Sequence, residues 1–213
     1  MSGDTIATKW RNMPTSTRRA RERASTRERI IEAALHVLET EGAAALTIRR
    51  IATDVEYSAP VVYQHFANKD ALVLELVAHG HDLMLAEFRR AAEEPDIDRR
   101  MTRIASDYVR FAGEHPHLYE VMNGTAVDAD ARRRAAAPAI DVVKELLATW
   151  SAAHDVVLAD PDAACEIIWG TLYGMASLGH LGTIGNERAR DLAEQALHAI
   201  LRGWAHAGRT DAS

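Results

Sequence analysis

Apolar residues recur along this chain at intervals of three and four almost throughout, and alternating apolar–polar stretches bounded by turn residues are absent. The pattern predicts an all-α protein of about nine helices. The first 24 residues lack the period and contain TSTRRARERA, which predicts a mobile basic arm. Ser25-Thr26-Arg27-Glu28 then has capping-box spacing. The helix it opens would bury Ile30, Ile31, Ala34, Leu35 and Leu38 and end at a left-handed Gly42. Thr47 is placed to cap a short helix from Ile48 to about Val55, and Ser58 another ending near Phe66. Asn68 opens a long helix from Lys69 to about Ala92, and Pro95 punctuates. Helices over about 97–113, 118–124, 128–154, 160–181 and 186–206 follow, with Pro138 expected to kink the third of these. The organisation read from this is an arm over 1–24, a three-helix head over 25–84, a larger helical body over 85–207 and a tail over 208–213.

Composition fits a globular chain, 47% hydrophobic and 26% charged, and no apolar run reaches the roughly 18 residues of a membrane span. The beginning of the chain is polar and basic, without the apolar core of a secretory signal, and a cytoplasmic location is expected. A single cysteine, Cys165, excludes an intrachain disulfide and a multi-cysteine zinc site. The net charge of −6 argues at first against a nucleic-acid partner, but its distribution reverses that. Met1–Asp70 holds 11 Lys and Arg against 9 Asp and Glu, whereas Ala71–Ser213 holds 14 against 22. Such a basic end on an acidic body suits a polyanion-binding head.

Residues 47–66, TIRRIATDVEYSAPVVYQHF, place two short capped helices about three residues apart, the spacing of a helix-turn-helix. Ile48, Ile51, Ala52, Val55, Val62 and Phe66 would face inward, leaving Ala59, Pro60, Val61 and Gln64 outward. The alternative is a hairpin that only packs. From about Thr26 to Leu83 the sequence resembles the N-terminal domain of TetR/AcrR-type transcriptional repressors, most specifically in Tyr63-x-His65-Phe66-x-Asn68-Lys69-x-x-Leu72. The resemblance implies DNA contacts by Thr47, Arg49, Ser58, Ala59, Pro60, Val61, Tyr63, Gln64, His65 and Lys69. In that reading Thr47 lies at a helix N-terminus able to bind phosphate, and Arg49 is of the type that reads guanine. Tyr63, His65 and Lys69 match phosphate-gripping positions, and Ala59, Pro60 and Val61 suit thymine methyls, while Gln64 suits adenine. Arg18, Arg19, Arg21 and Arg23 of the arm either add phosphate or minor-groove contacts or form a solvated tail. Glu56 stands where the family usually has glycine, so either it accepts an unfavourable backbone angle or the third helix tilts.

The family resemblance also implies a homodimer on a palindromic double-stranded DNA operator, paired through about 160–206, and a small, largely apolar or aromatic effector that releases it. Ala189, Ala193, Ala196, Leu197, Ile200, Leu201 and Trp204 lie along one side of the last helix, and Gly170, Gly174 and Ala176–Gly179 are small residues on its predecessor. These surfaces serve either a partner or an internal core. Trp169-Gly-Thr-Leu-Tyr173-Gly174 resembles the Trp-x-x-x-His-Gly subtype of the family's C-terminal domains, with tyrosine in place of histidine. Tyr108, Phe111, Met122, Trp150, Trp169 and Tyr173 are the candidate effector lining, the alternative being a filled core.

Nothing in the chain carries GxSxG, HExxH, a phosphate loop or a dinucleotide fingerprint, so no enzyme activity, cofactor or metal is expected. The single ExxH, Glu114 to His117, contains a proline, and His79 and His81 point to different sides of their helix. Cys165 reads as a buried thiol rather than a redox sensor. The competing function is a helical small-molecule-binding protein whose degenerate head has no specific DNA target.

Overall fold

The structure, a computed structural model, describes residues 15–210. Nine helices and no strand occur among the described residues: α1 Thr15–Glu41, α2 Ile48–Asp54, α3 Ala59–Tyr63, α4 Lys69–Ala91, α5 Ile97–Glu114, α6 Pro116–Asn123, α7 Ala129–Ala153, α8 Pro161–His180 and α9 Asn186–Thr210. None of the described helices is long and apolar enough to cross a membrane. The chain divides into two compact units after Leu72, twelve positions before the boundary expected from sequence. The first unit holds α1 to α3 and the start of α4; the second holds the rest.

In the first unit Ile30, Ala34, Val37 and Leu38 of α1 close on Leu46, Ile51, Val55, Val62 and Phe66, all buried. Thr47 caps α2 as expected, its hydroxyl accepting from Arg50 N at 3.1 Å. Asn68 Oδ1 likewise accepts from Ala71 N at 2.8 Å at the start of α4. Gly42 ends α1 with φ 82°, its N–H bonded to Leu38 O. The expected start at Ser25 is corrected: α1 is already helical at Thr15, and Ser25 lies inside it. Residues 15–24 are rich in Arg, Ala and Glu, good helix formers that extend the helix past a motif able to start one. The first 14 residues of the expected arm lie outside the described residues.

The second unit is built on α5, α8 and α9, each packed against the other two, with α7 laid against α5 and α8 and α6 against α5. Ala189, Ala193, Leu197 and Leu201 of α9 are buried within this single chain. The stripe considered for a partner is therefore largely internal core, each leucine contributing about 1.5–3 kcal/mol by its burial. Gly179 fixes how closely α8 and α9 approach, since a Cβ there would stand 2.9 Å from that of Ala189. Helix α7 runs unbroken through Pro138.

Candidate DNA interface

Four residues after α2 the chain enters α3, and the turn between them determines what α3 presents. Tyr57 N bonds to Ala52 O (2.9 Å) and Glu56 N to Thr53 O (3.1 Å), a Schellman ending whose left-handed position is occupied by Glu56, φ 57°. The first of the two alternatives for Glu56 holds: the backbone accepts the strained angle. Arg29 of α1 spans that turn, donating to Tyr57 Oη at 2.8 Å and to Val55 O at 3.4 Å, with its guanidinium 5.1 Å from the Tyr57 ring centroid. Sequence spacing did not single out Arg27, Arg29 or Tyr57; a cation on the inward stripe of α1 is the signal that was there to be read.

With the turn held, Val62 and Phe66 point into the core while Pro60, Tyr63 and Gln64 are exposed and Ala59, Val61 and His65 half-buried. Thr47, Arg49, Ser58 and Lys69 are exposed on the same unit. Arg49 and Arg50 are chemically identical but differently placed. Arg50 is engaged by Glu41 at 2.6 Å and by Asp54, whereas Arg49 and Lys69 have no ion-pair partner among the described residues. Ser58 occupies the cap position of α3 without a side-chain capping bond. Arg23 Nη2 donates to Gln64 O at 3.1 Å, a cation at the carbonyl end of α3, and Arg27 lies 5.1 Å from the Phe66 ring centroid. Burial, then the charges of Arg23 and Arg27, lower the pKa of His65 and favour its neutral ring. Free cations beside an exposed short helix are chemically suited to an anion lined with hydrogen-bonding edges.

Of the six residues considered for an effector, three are joined by ring contacts. Tyr108 on α5 and Tyr173 and Trp169 on α8 belong to one aromatic run, joined by Tyr119 of α6, which sequence reasoning missed. The Tyr108 and Tyr119 hydroxyls are 3.4 Å apart, and burial raises the pKa of both, that of Tyr108 strongly. Trp169 and Tyr173 lie towards solvent, 56% and 39% exposed, so the run leads from the interior to the surface. Trp150 packs elsewhere, 6.4 Å from Trp204 between ring centroids, its indole donating to Asp98 at 3.0 Å. Phe111 lies tilted against His115, 5.0 Å between ring centroids, and Met122 fills the space left by the missing side chain of Gly80. Cys165 is buried, and burial raises its thiol pKa.

An all-helical chain with a helix-turn-helix unit followed by a larger helical unit defines the class of helix-turn-helix regulators. Residues 30–76 match the model of bacterial regulatory proteins, tetR family, and residues 101–203 that of the tetracyclin repressor-like C-terminal domain. The chain belongs to the tetR family. It is 28% identical over 158 residues to the uncharacterized HTH-type transcriptional regulator Rv0681 of Mycobacterium tuberculosis, covering 66% of this chain and 72% of that one. It is 29% identical over 108 residues to the nucleoid occlusion factor SlmA of Vibrio vulnificus, covering 50% of this chain and 55% of that one. The chain thus spans about half the length of several curated relatives it matches. A solved structure of a protein of unknown function from Rhodococcus sp. RHA1 superposes with a TM-score of 0.73 at 23% identity, covering 84% of this chain and 95% of that one.

Proposed function

We propose that this chain is a cytoplasmic, sequence-specific DNA-binding repressor that acts as a homodimer and is released by a small apolar or aromatic effector. The observation that carries the DNA reading is the presentation of α3: its apolar residue Val62 is buried, while Pro60, Tyr63 and Gln64 stand exposed beside the unpaired cations Arg49 and Lys69. In this reading Thr47, Ser58, Tyr63, His65 and Lys69 hold phosphates, and Arg49, Ala59, Pro60, Val61 and Gln64 meet base edges.

Pairing is supported by the outward face of α8. Ile167 and Leu178 there are 50% and 39% exposed, Leu181 just past its end is 73% exposed, and among the described residues nothing lies within 4 Å of where a side chain would start at Gly170 or Gly174. Two copies of such a face bring helices close and bury apolar surface that one copy leaves wet. The Tyr108–Tyr119–Tyr173–Trp169 run supports an effector with an aromatic or apolar body. Binding there would favour one state of the second unit and, through α4, change the separation of two heads that must span about 34 Å. Selection of sites from random duplex DNA tests the reading. Enrichment of one palindrome is expected; retention of all sequences alike, with only salt-sensitive binding, would overturn it.

A further inference from the structure

The stripe of α1 that enters the core is Ile30, Ala34, Val37 and Leu38, all fully buried. Followed towards the N-terminus at helical spacing, the same stripe continues as Arg27, Arg23 and Arg19. A helix serving only the three-helix core would end its packed face at Ile30 or continue it with apolar residues. Here it extends past the core as a basic edge, and that edge lies beside α3. Arg23 donates to Gln64 O, and one open cleft is lined by Glu22, Arg23 and Thr26 of α1 together with Tyr57, Val61, Gln64 and His65. Val61 and Gln64 are two of the residues read above as facing bases.

The other charges of this segment are differently disposed. Arg18 is paired with Glu22 at 2.8 Å, and Thr26 donates to the Glu22 carbonyl. Arg19 is exposed and has no partner among the described residues. Arg23 uses one of its five N–H groups on Gln64, leaving others towards the cleft. Arg19 and Arg23 are one turn apart, about 6 Å along the axis.

We propose that the first turns of α1 form a rigid rail for the DNA backbone, with Arg19 and Arg23 holding phosphates that flank the base pairs read by α3. This rests on the reading of α3 as the recognition helix. The partner atoms are phosphates rather than minor-groove base edges because the segment is helical. An α-helix with its side chains is about 10–12 Å across, and the minor groove of B-DNA is about 6 Å wide. A mobile arm could thread into that groove; this helix lies along its rim.

The test uses the full chain and a duplex carrying the site selected by the wild type. Arg19→Ala removes a side chain without an internal partner, and an unchanged thermal melt verifies the fold. The slope of log affinity against log salt is expected to become shallower by about 0.9 for each bound head, with the base preference within the site unchanged. Hydroxyl-radical protection of the flanking sugars is expected to be lost. Arg23→Lys, which keeps the charge, is expected to retain most of the slope that Arg23→Ala loses. An unchanged slope and footprint for Arg19→Ala would overturn the rail while leaving the recognition helix intact. Loss of a preference for A·T pairs in the flanks would also overturn it, in favour of groove insertion. Failure of the wild type to select any site would instead remove the reading on which the rail rests.

Discussion

Three helices of this protein are followed by a left-handed position that is filled by three different residues. After α8, Gly182 has φ 70°, with Gly182 N bonded to Gly179 O and Thr183 N to Leu178 O. After α2 the equivalent residue is Glu56, φ 57°, and after α7 it is Asp155, φ 52°. A side chain in this region costs about 1–2 kcal/mol through contact of its Cβ with the backbone, of which glycine's extra freedom in the unfolded chain offsets about half. Glu56→Gly is expected to raise the stability of the first unit by up to about 1 kcal/mol, and Gly182→Ala to lower that of the second by a similar amount. Chemical denaturation with a probe in each unit checks both. A stabilised Glu56→Gly variant that bound DNA less well would show the strained turn to be set for α3's orientation.

His81 on α4 poses a different residue-scale problem. Neither ring nitrogen has a partner among the described residues, and burial lowers the pKa from 6.5 to about 4 despite the neighbouring Asp82. The folded state therefore binds this proton more weakly than the unfolded chain. Between pH 6.5 and about 4 the unfolded state carries more protons, so stability falls as the solution is acidified through that window. The full effect is roughly 3 kcal/mol. Unfolding measured at pH 7 and pH 5 is expected to show the loss in the wild type, and His81→Leu is expected to flatten the difference between the two.

At the scale of elements, the packing of α8 on α9 separates glycines that look alike in sequence. Gly179 lies against Ala189 Cβ at 2.9 Å and Asn186 Oδ1 at 3.0 Å from an added Cβ. Gly170 and Gly174 have open space among the described residues. Gly179→Ala is expected to push the two helices apart at a cost of about 1–3 kcal/mol, visible as a lower Tm. Gly174→Ala gains helix propensity of up to about 1 kcal/mol and is expected to leave the fold of one chain intact or firmer.

The same contrast separates what local sequence dictates from what only packing decides. Thr47, Asn68 and Gly42 act through bonds within four residues of themselves, and their roles were read from local sequence alone. Ser25-Thr26-Arg27-Glu28 has an equally good local pattern, yet whether it starts a helix depends on the ten residues before it, which are helical. Periodicity in α9 picks out Ala189, Ala193, Leu197 and Leu201, which are buried, along with the half-buried Ala196, Ile200 and Trp204, but not what covers them, because burial against α5 and α8 and burial against a second copy leave the same pattern. Aromatic character makes Trp169 and Tyr173 candidates for a pocket lining or a filled core, while their position on α8 turns them towards solvent. The residues of the DNA reading were legible because a family pattern fixes them in register; Arg27 and Arg29 were not, since their role exists only once α1 packs beside the turn.

At the scale of the whole molecule, the question is what covers the outward face of α8. Ile167, Leu178 and Leu181 accompany Gly170 and Gly174, whose lack of side chain serves no contact among the described residues. Glycine inside a helix costs about 1 kcal/mol relative to alanine, and for these two no neighbour among the described residues explains that cost. A second α8 crossing there does, because small residues let helix axes approach and adjacent leucines interdigitate. Gly174→Leu separates the two explanations. If the face is only solvated, the added side chain leaves both mass in solution and DNA affinity unchanged. If it is where two copies meet, sedimentation is expected to show the wild type as a dimer and the variant as a monomer with an unaltered helical signal. The variant should then lose affinity for a palindromic site far more than for a single half-site, since each head still folds and reads but the second no longer binds with the first.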